Sequence, residues 1–477
     1  MSVNKQNGGS NNQPPPLPLK NKSFLFFLAT QGLGAFNDNV FKQLVLLLSV
    51  GYLAGDVEFQ AVVQFLFAVP FLIFSGLAGD LSDRYSKGWL MTVCKVAEIA
   101  IALAGVAAFF AVVDNASDST RVPIYLWLLA LVAFCLGTQS AFFGPPKYGG
   151  LPELVRDSDL APATGLTQMT TFLAIIFGVA VAGLLADIFA NRLYIAGLVT
   201  VSIAVVGTLT SLGIKKCAAS EPTRRISIRS FISVLPTLLE IFRKDPLMLR
   251  IMLVYSWFWF VGGMSLTAIN ALGRLQLGFN NFDTSLLVAT TSIGIAIGSA
   301  AVGRLSHGKV RVGLIVPGLI LLICSLISLW LFPVHAPTVA EMELINQLKN
   351  APQHILNATQ VIPVASMPVK IGTFSVLFLL GAASGFFSVP LLAFIQARPP
   401  ATDKGKVFAA VNWLNWIFIV AAAVAYGVGI AWVDNRANQL LGWLGLLTAV
   451  VAFSILPSIF KLIRTERPYF VYIKTRQ

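Results

Sequence analysis

The chain has 477 residues, 56% of them hydrophobic and 12% charged, with a formal net charge of +13. A soluble domain has about a quarter of its residues charged, so these apolar residues do not fit one aqueous core and the bilayer is the solvent for most of the chain. The basic residues lie between apolar runs, which reads as loops facing an anionic leaflet and not as a nucleic-acid surface.

Residues 1–22 are polar, contain Pro14-Pro15-Pro16, and read as a disordered cytoplasmic tail. The apolar run that follows is too long for a signal-peptide core and has no clean small-residue cleavage site, so it reads as a retained first helix. Apolar runs in the first half cover 24–50, 59–78, 89–113, 123–143, 161–186 and 193–214. Those in the second half cover 249–272, 284–303, 312–332, 372–397, 407–432 and 440–460. Each is long enough to cross a bilayer as a helix. The pattern predicts an all-α membrane protein of twelve spans in two pseudo-symmetric six-helix bundles, 23–214 and 249–461. A cytoplasmic linker, 215–248, joins them, and a basic tail, 462–477, follows.

Counting Lys and Arg with both termini inside gives 26 in cytoplasmic segments and 6 in outer loops, Arg274 among the latter. Lys42 and Lys95 fall within spans. The bias places both termini in the cytoplasm. The long outer loop, 333–370, reads as irregular or partly helical, and carries an Asn357-Ala358-Thr359 sequon that means nothing in a bacterial chain. Cys94, Cys135 and Cys324 lie in apolar runs and Cys217 in a basic loop, a spacing that suits neither disulfide nor metal. No cofactor is expected.

The halves repeat each other. Gly137-Thr138-Gln139-Ser140-Ala141-Phe142-Phe143 has a counterpart in Gly381-Ala382-Ala383-Ser384-Gly385-Phe386-Phe387, and Pro146 one in Pro390, each 244 residues later. At that offset Gln168 pairs with Asn412. Gly79-x-Leu81-Ser82 recurs as Gly303-x-Leu305-Ser306 at an offset of 224, the extra 20 residues lying in the long outer loop. Parallel duplication of six-helix halves is a transporter signature, with the substrate site near midplane between them.

Asp38 and Lys42 sit within the first span, four residues apart. A charge at that depth costs several kcal/mol unless it is paired or wet. The two read either as a self-satisfied pair on one helix face or as groups facing a cationic headgroup or a proton. Lys95 and Glu98, three apart in the third span, read as paired with each other or with the first helix. The run from Gly144 to Leu154 ends the fourth span. Its Pro145 and Pro146 are expected to break the helix, leaving Lys147, Tyr148 and Glu153 to hold a headgroup or anchor the helix end. Asn412, Trp413, Asn415 and Trp416 form a polar, aromatic face read as cavity lining.

Gly79-Asp80-Leu81-Ser82-Asp83-Arg84-Tyr85-Ser86-Lys87 resembles the loop signature of the major facilitator superfamily, with Ser86 where Gly is usual and His307 where the second copy would have Asp. Gly79 permits close helix approach, and Asp83, Arg84 and Lys87 are expected to latch the cytoplasmic side.

Phe36-Asn37-Asp38-Asn39, Pro146-Lys147-Tyr148-Gly149 and the Gly385-to-Gln396 run resemble the bacterial lysophospholipid transporters. These also form the membrane half of fused acyltransferases that re-acylate lysophosphatidylethanolamine. The resemblance spans about 24–460 and implies alternating-access flipping of lysophospholipid from the outer to the inner leaflet of the bacterial cell membrane. It implies a headgroup role for Asp38. The substrate contacts expected are Asp38, Asn39, Lys42, Gln168, Asn412 and Asn415. The chain departs from that family at Trp257–Thr267, which lacks the family's helix-seven Arg, and at Asn415, where the family has Glu. The alternative is a small-solute or drug transporter, proton-coupled through Asp38. Expected partners are the lipid substrate, membrane lipids and a separate acyltransferase, with the protein itself a monomer. An enzyme is not expected, because none of His307, His335 and His354 forms a His-x4-Asp arrangement.

Overall fold

The computed structural model describes residues 21–52, 59–115, 122–156, 160–219, 222–223, 234–306, 311–332, 334, 364–398 and 404–465. Expectations for most of the N-terminal tail, for His307, for most of the outer loop with its sequon and two histidines, and for 466–477 lie outside the described residues. Thirteen helices occur among those described: α1 (Lys22–Tyr52), α2 (Phe59–Arg84), α3 (Lys87–Asp114), α4 (Val122–Leu154), α5 (Leu160–Ile188), α6 (Leu193–Leu212), α7 (Val234–Lys244), α8 (Pro246–Ala271), α9 (Asn281–Ser306), α10 (Ile315–Leu331), α11 (Met367–Ala397), α12 (Lys404–Trp432) and α13 (Ala437–Thr465). A π-helical turn, Leu272–Gln276, extends α8. There is no strand among the described residues.

Eleven of these helices have the length and hydropathy of a membrane span. The twelfth is α1, 31 residues long, whose middle carries Gln31, Asn37, Asp38, Asn39, Lys42 and Gln43. Helices are the expected solution in lipid, because each satisfies its own backbone polar groups. Polar α1 is sheltered by packing against α5 and α6. The short α7 is amphipathic and stands outside the twelve, its Leu239 and Phe242 exposed and its last turn basic.

The duplication read from short motifs extends to the helix boundaries. The bounds of α1 moved by 224 give 246–276, the full extent of α8 with its π turn, and those of α5 moved by 244 give 404–432, which is α12. Local chemistry repeats as well. The Asn21 Oδ1 accepts the Phe24 N–H at 2.8 Å to cap α1, while its Nδ2 donates to the Leu154 carbonyl at the end of α4. In the second half the Asp245 Oδ1 accepts the Met248 N–H at 3.0 Å to cap α8, and Arg398 at the end of α11 holds the same carboxylate with two hydrogen bonds of 2.7 and 3.1 Å. Each half thus ties its first helix to its fourth. Gly137 lies against the Phe67 carbonyl and Gly381 against the Thr291 carbonyl, so close that a Cβ has no room. Small residues permit this backbone contact in a membrane, here α4 on α2 and α11 on α9.

Partial burial raises the proton affinity of the Asp245 carboxyl, but the Arg398 guanidinium and the Met248 N–H outweigh it, and the group is held below its ordinary value. A depressed carboxylate pKa contributes stability at neutral pH that is lost as pH falls below about 4. Asp245→Ala is expected to remove about 1 kcal/mol, after discounting a third-exposed pair for screening, and to lower the melting midpoint in detergent at pH 7. The difference from wild type should shrink in acid.

Four expectations are corrected. Gly79 brings no neighbouring helix close, since nothing lies within 4 Å of where its Cβ would stand. Gly79–Arg84 is not loop but the last turns of α2, and the reversal is confined to Tyr85 and Ser86. Gly144-Pro145-Pro146 does not break the fourth span, since α4 runs through to Leu154. A proline removes one hydrogen bond, and neighbouring helices hold the segment in line. Arg274 is not an outer-loop cation. It is fully buried in the π turn that ends α8, its Nη1 donating to the Phe279 carbonyl at 3.3 Å.

Candidate functional site

Asp38 stands midway along α1 and is half-buried. Of the two readings of Asp38 and Lys42, the self-satisfied ion pair is not made among the described residues. The Asp38 Oδ2 accepts a 2.6 Å hydrogen bond from the Ser140 hydroxyl of α4, and its Oδ1 is buried with no hydrogen-bond partner. The Lys42 Nζ instead lies 5.1 Å from the centre of the Phe67 ring on α2, a cation–π contact. The two groups thus take different contacts on one helix and make no direct ion pair.

Behind Asp38 is a second charge cluster. Lys95 and Glu98 form a fully buried ion pair of 2.5 Å. Glu98 also accepts from Asn37 Nδ2 at 2.8 Å and from Gln139 Nε2 at 3.4 Å, and the Ser140 hydroxyl oxygen lies 3.1 Å from Gln139 Oε1, a second acceptor for the proton it gives Asp38. Of the two readings of Lys95 and Glu98, both hold: they pair with each other, and Asn37 joins them to α1. Nearer the chain termini, the Lys147 Nζ is 3.2 Å from the Thr171 hydroxyl, which donates to Gln31 Oε1 at 2.9 Å. Exposed Tyr148 carries its ring 5.2 Å from the same ammonium. Glu153 is taken by Lys87 in a 2.5 Å ion pair, so that part of the loop motif ties α3 to α4 within one half. Losing one partner of a buried pair costs about 3–5 kcal/mol, because the other charge is stranded. Glu98→Leu is expected to lower the melting midpoint strongly, and Lys95→Leu/Glu98→Leu much less. The double variant has a precedent in the chain itself, since Leu319 and Leu322 occupy the equivalent places 224 residues later.

On α1 itself, Asn39 donates to its own helix, at the Ala35 carbonyl. The second half contributes less. Asn412 is exposed on α12. Asn415 is buried against α8: with its amide oriented so that Oδ1 accepts from the Trp259 Nε1 at 3.2 Å, its Nδ2 donates to the Ser256 hydroxyl at 2.9 Å. Gln168 lies on α5, but its side chain is outside the described residues. Trp416 stacks on Phe71 of α2 with ring centres 3.7 Å apart, and the Trp413 Nε1 donates to the Leu72 carbonyl, so these two aromatics lie on the seam between the halves.

The polar contacts between halves gather at the end away from the termini. Gln43 donates to Asn270 at 2.9 Å and to Ser285 at 3.3 Å, and Gln60 reaches the Tyr426 hydroxyl at 3.3 Å. Asp187, at the end of α5, accepts from the Asn281 backbone N–H at 3.1 Å, from its side-chain Nδ2 at 2.8 Å and from the Phe282 N–H at 2.8 Å. One half thus supplies the carboxylate that caps the first turn of α9 in the other. Sequence reading missed Ser140, Gln139 and Asp187 as site or seam residues. The first two lay within the repeated motif but were valued only for the repeat. Among the described residues no cluster of His, Cys, Asp or Glu could hold a metal.

Solved structures with this arrangement include a mutant of the nucleoside transporter NupG, which is 12% identical with a TM-score of 0.63, covering 92% of this chain and 100% of that one. A bacterial homologue of the iron transporter ferroportin in an inward-facing state is 13% identical with a TM-score of 0.59, covering 90% and 98%. These likenesses show the fold. Among curated proteins, the lysophospholipid transporter LplT of Salmonella typhimurium is 27% identical over 402 residues, covering 82% of this chain and 84% of its own. That of Citrobacter koseri is 26% identical over 399 residues, with the same coverage. The family model for the Major Facilitator Superfamily matches residues 24–423. With a duplicated bundle of membrane-spanning helices and a family match over most of its length, this chain belongs to the Major Facilitator Superfamily and is a multi-pass membrane transporter of that type.

Proposed function

We propose that the protein flips a lysophospholipid of the lysophosphatidylethanolamine type from the outer to the inner leaflet by alternating access. The observation that carries this reading is the unpaired Asp38 Oδ1 beside a Lys42 held on an aromatic ring. A carboxylate and an ammonium that do not neutralise each other suit a ligand carrying the reverse pair. The substrate ammonium binds Asp38 and its phosphate draws Lys42 off Phe67, so net charge in the site stays constant and desolvation is limited. Asn39, Gln168, Asn412 and Asn415 complete the headgroup site, with Lys147 and Tyr148 nearer the termini. The single acyl chain stays in the apolar gap between halves. The likeness to the named lysophospholipid transporters supports the substrate class.

In this reading the termini face the cytoplasm of a bacterial inner membrane, the seam at Asp187 is the outer gate, and the Asp83–Arg84 segment closes the inner side in the alternate state. The protein works as a monomer and delivers product to a separate acyltransferase. Reporter fusions at 215–229 and at Gln477 are both expected to read cytoplasmic. The direct test is inner-leaflet accumulation of labelled lysophosphatidylethanolamine in proteoliposomes. Saturable, protein-dependent accumulation is expected. Rates equal to empty vesicles, together with proton-driven uptake of a soluble solute, overturn the lipid reading in favour of a small-solute transporter.

A further inference from the structure

The second half carries a slot on its surface that has no open counterpart at the equivalent place in the first. In the second half, Arg250, Leu253, Val254 and Trp257 of α8, Phe418 of α12, and Val451, Ser454, Ile455 and Pro457 of α13 line a partly open slot of about 620 Å³. All its walls come from one half, so it is not the gap between halves that the proposed substrate would use. Its volume falls in the range of small-ligand pockets.

The first half shows what this place looks like when the protein fills it. At the repeat offsets, Arg250 corresponds to Phe26, Val254 to Thr30, Val451 to Gly207, Ser454 to Thr210 and Pro457 to Gly213. There the Phe26 ring lies directly on Gly213, the Thr30 hydroxyl donates to the Thr210 hydroxyl at 2.9 Å, and the Lys95 stem runs over Gly207. In the second half the ring is replaced by a guanidinium and the glycine by a proline, the hydroxyl bridge is lost with Val254, and the slot stays open. Arg250 makes no ion pair or side-chain hydrogen bond among the described residues, although it sits one turn inside a membrane-spanning helix.

The surroundings fix the depth and the phase. Val450 and Phe453, beside the slot on α13, are among the exposed large apolar side chains. Exposed apolar residues on a spanning helix face acyl chains. The amphipathic α7, with Leu239 and Phe242 exposed and Arg243 and Lys244 in its last turn, leads directly into α8. Such a helix lies in the interface, its apolar face among the upper acyl carbons. Arg250 is four residues past Pro246, about 6 Å further along at the helical rise, which puts its charge near phosphate and glycerol depth. Trp257 and Phe418 lie deeper, at acyl-chain level.

From the open slot, its filled counterpart and an Arg250 that has no partner among the described residues, we propose that this slot is a binding site for a diacyl glycerophospholipid of the surrounding leaflet. The phosphate diester pairs with Arg250, with the Ser454 hydroxyl near it, and one acyl chain lies along Val254, Trp257 and Phe418. The recognised group is the phosphate, which is common to the glycerophospholipids, in a geometry that suits a guanidinium. The proposal does not depend on what is transported.

The test reconstitutes the full-length protein in nanodiscs of phosphatidylethanolamine and phosphatidylglycerol doped with a diazirine-tailed phosphatidylglycerol. Wild type is expected to be crosslinked within 250–257 or 451–457, and to keep one phospholipid in native mass spectrometry. Arg250→Phe/Pro457→Gly, which rebuilds the filled first-half arrangement, should reduce crosslinking and retention at least tenfold, and Val254→Trp should do the same by occlusion. Arg250→Lys should keep most of both. Equal crosslinking in wild type and the two filled variants, each monodisperse by size exclusion, overturns the site. Equal retention of a diazirine-tailed diacylglycerol, which has no phosphate, overturns phosphate recognition.

Discussion

Asp38→Asn protein should flip lysophosphatidylethanolamine about 10- to 100-fold more slowly than wild type, while folding normally. The substitution keeps shape, and an amide oxygen still accepts from Ser140, so the bond to α4 survives. What is lost is the charge on the Oδ1 that the protein leaves unpartnered. A hydrogen bond to a charged group contributes about 1.5–3 kcal/mol, which corresponds to that range of rates at 1.4 kcal/mol per decade. Substrate dependence separates a headgroup contact from general damage. A lysolipid with a phosphate but no ammonium should be far less affected by Asp38→Asn, and far more by Lys42→Ala. Uptake measured in proteoliposomes for both lipids decides it, and equal loss on both would point to a purely structural carboxylate.

Asp187→Ala should open the end of the bundle away from the termini. Three hydrogen bonds converge on this carboxylate from Asn281 and Phe282, and it sits on the positive end of α9, where partly buried anions gain up to about 2 kcal/mol. Because donor and acceptor belong to different halves, this stabilisation exists only while that end is shut. Its removal is expected to shift the two-state balance by about 2–4 kcal/mol, roughly 30-fold or more in population. Ser285, wholly buried against Gln43 and Gly183 in the closed seam, is the place to read it. With Cys94, Cys135, Cys217 and Cys324 replaced, Ser285→Cys should be protected from maleimide in the parent and labelled quickly with Asp187→Ala. Asp187→Asn should fall between them, since its carbonyl still accepts. Unchanged labelling would mean the cap holds no gate.

The spans and the duplication were legible because both rest on period and composition, which local sequence carries. Asp38 was legible as a candidate because a carboxylate within an apolar run demands compensation wherever it lies. Its partner was not: Ser140 is 102 residues away, and i,i+4 spacing favoured Lys42, which the aromatic ring of Phe67 draws aside. Asp187 was not legible at all, because nothing local shows that it meets the first turn of a helix in the other half. Arg274 read as loop because a lone cation near a span boundary is usually solvated. The π turn that carries it packs against α9 and α13, and this tertiary packing buries it.

The repeat has a consequence for how a ligand must lie. The positions matching Asp38, Lys42, Lys95, Glu98 and Gln139 in the second half are Gly262, Leu266, Leu319, Leu322 and Ala383, while Ser140 keeps its like as Ser384 and Gln168 a polar but uncharged counterpart in Asn412. The backbone is near-symmetric while the electrostatics are one-sided. A symmetric or uniformly polar solute has little to gain from facing the second wall, whereas a molecule with a wet end and an oily end is aligned across the pseudo-twofold axis by the walls themselves. In the function proposed above, rocking such a pair of walls would translate the molecule without asking it to turn its head from one half to the other. Charge changes should therefore be felt mainly on the first wall and volume changes mainly on the second, so that the two ancestral copies now act as separate organs of one device.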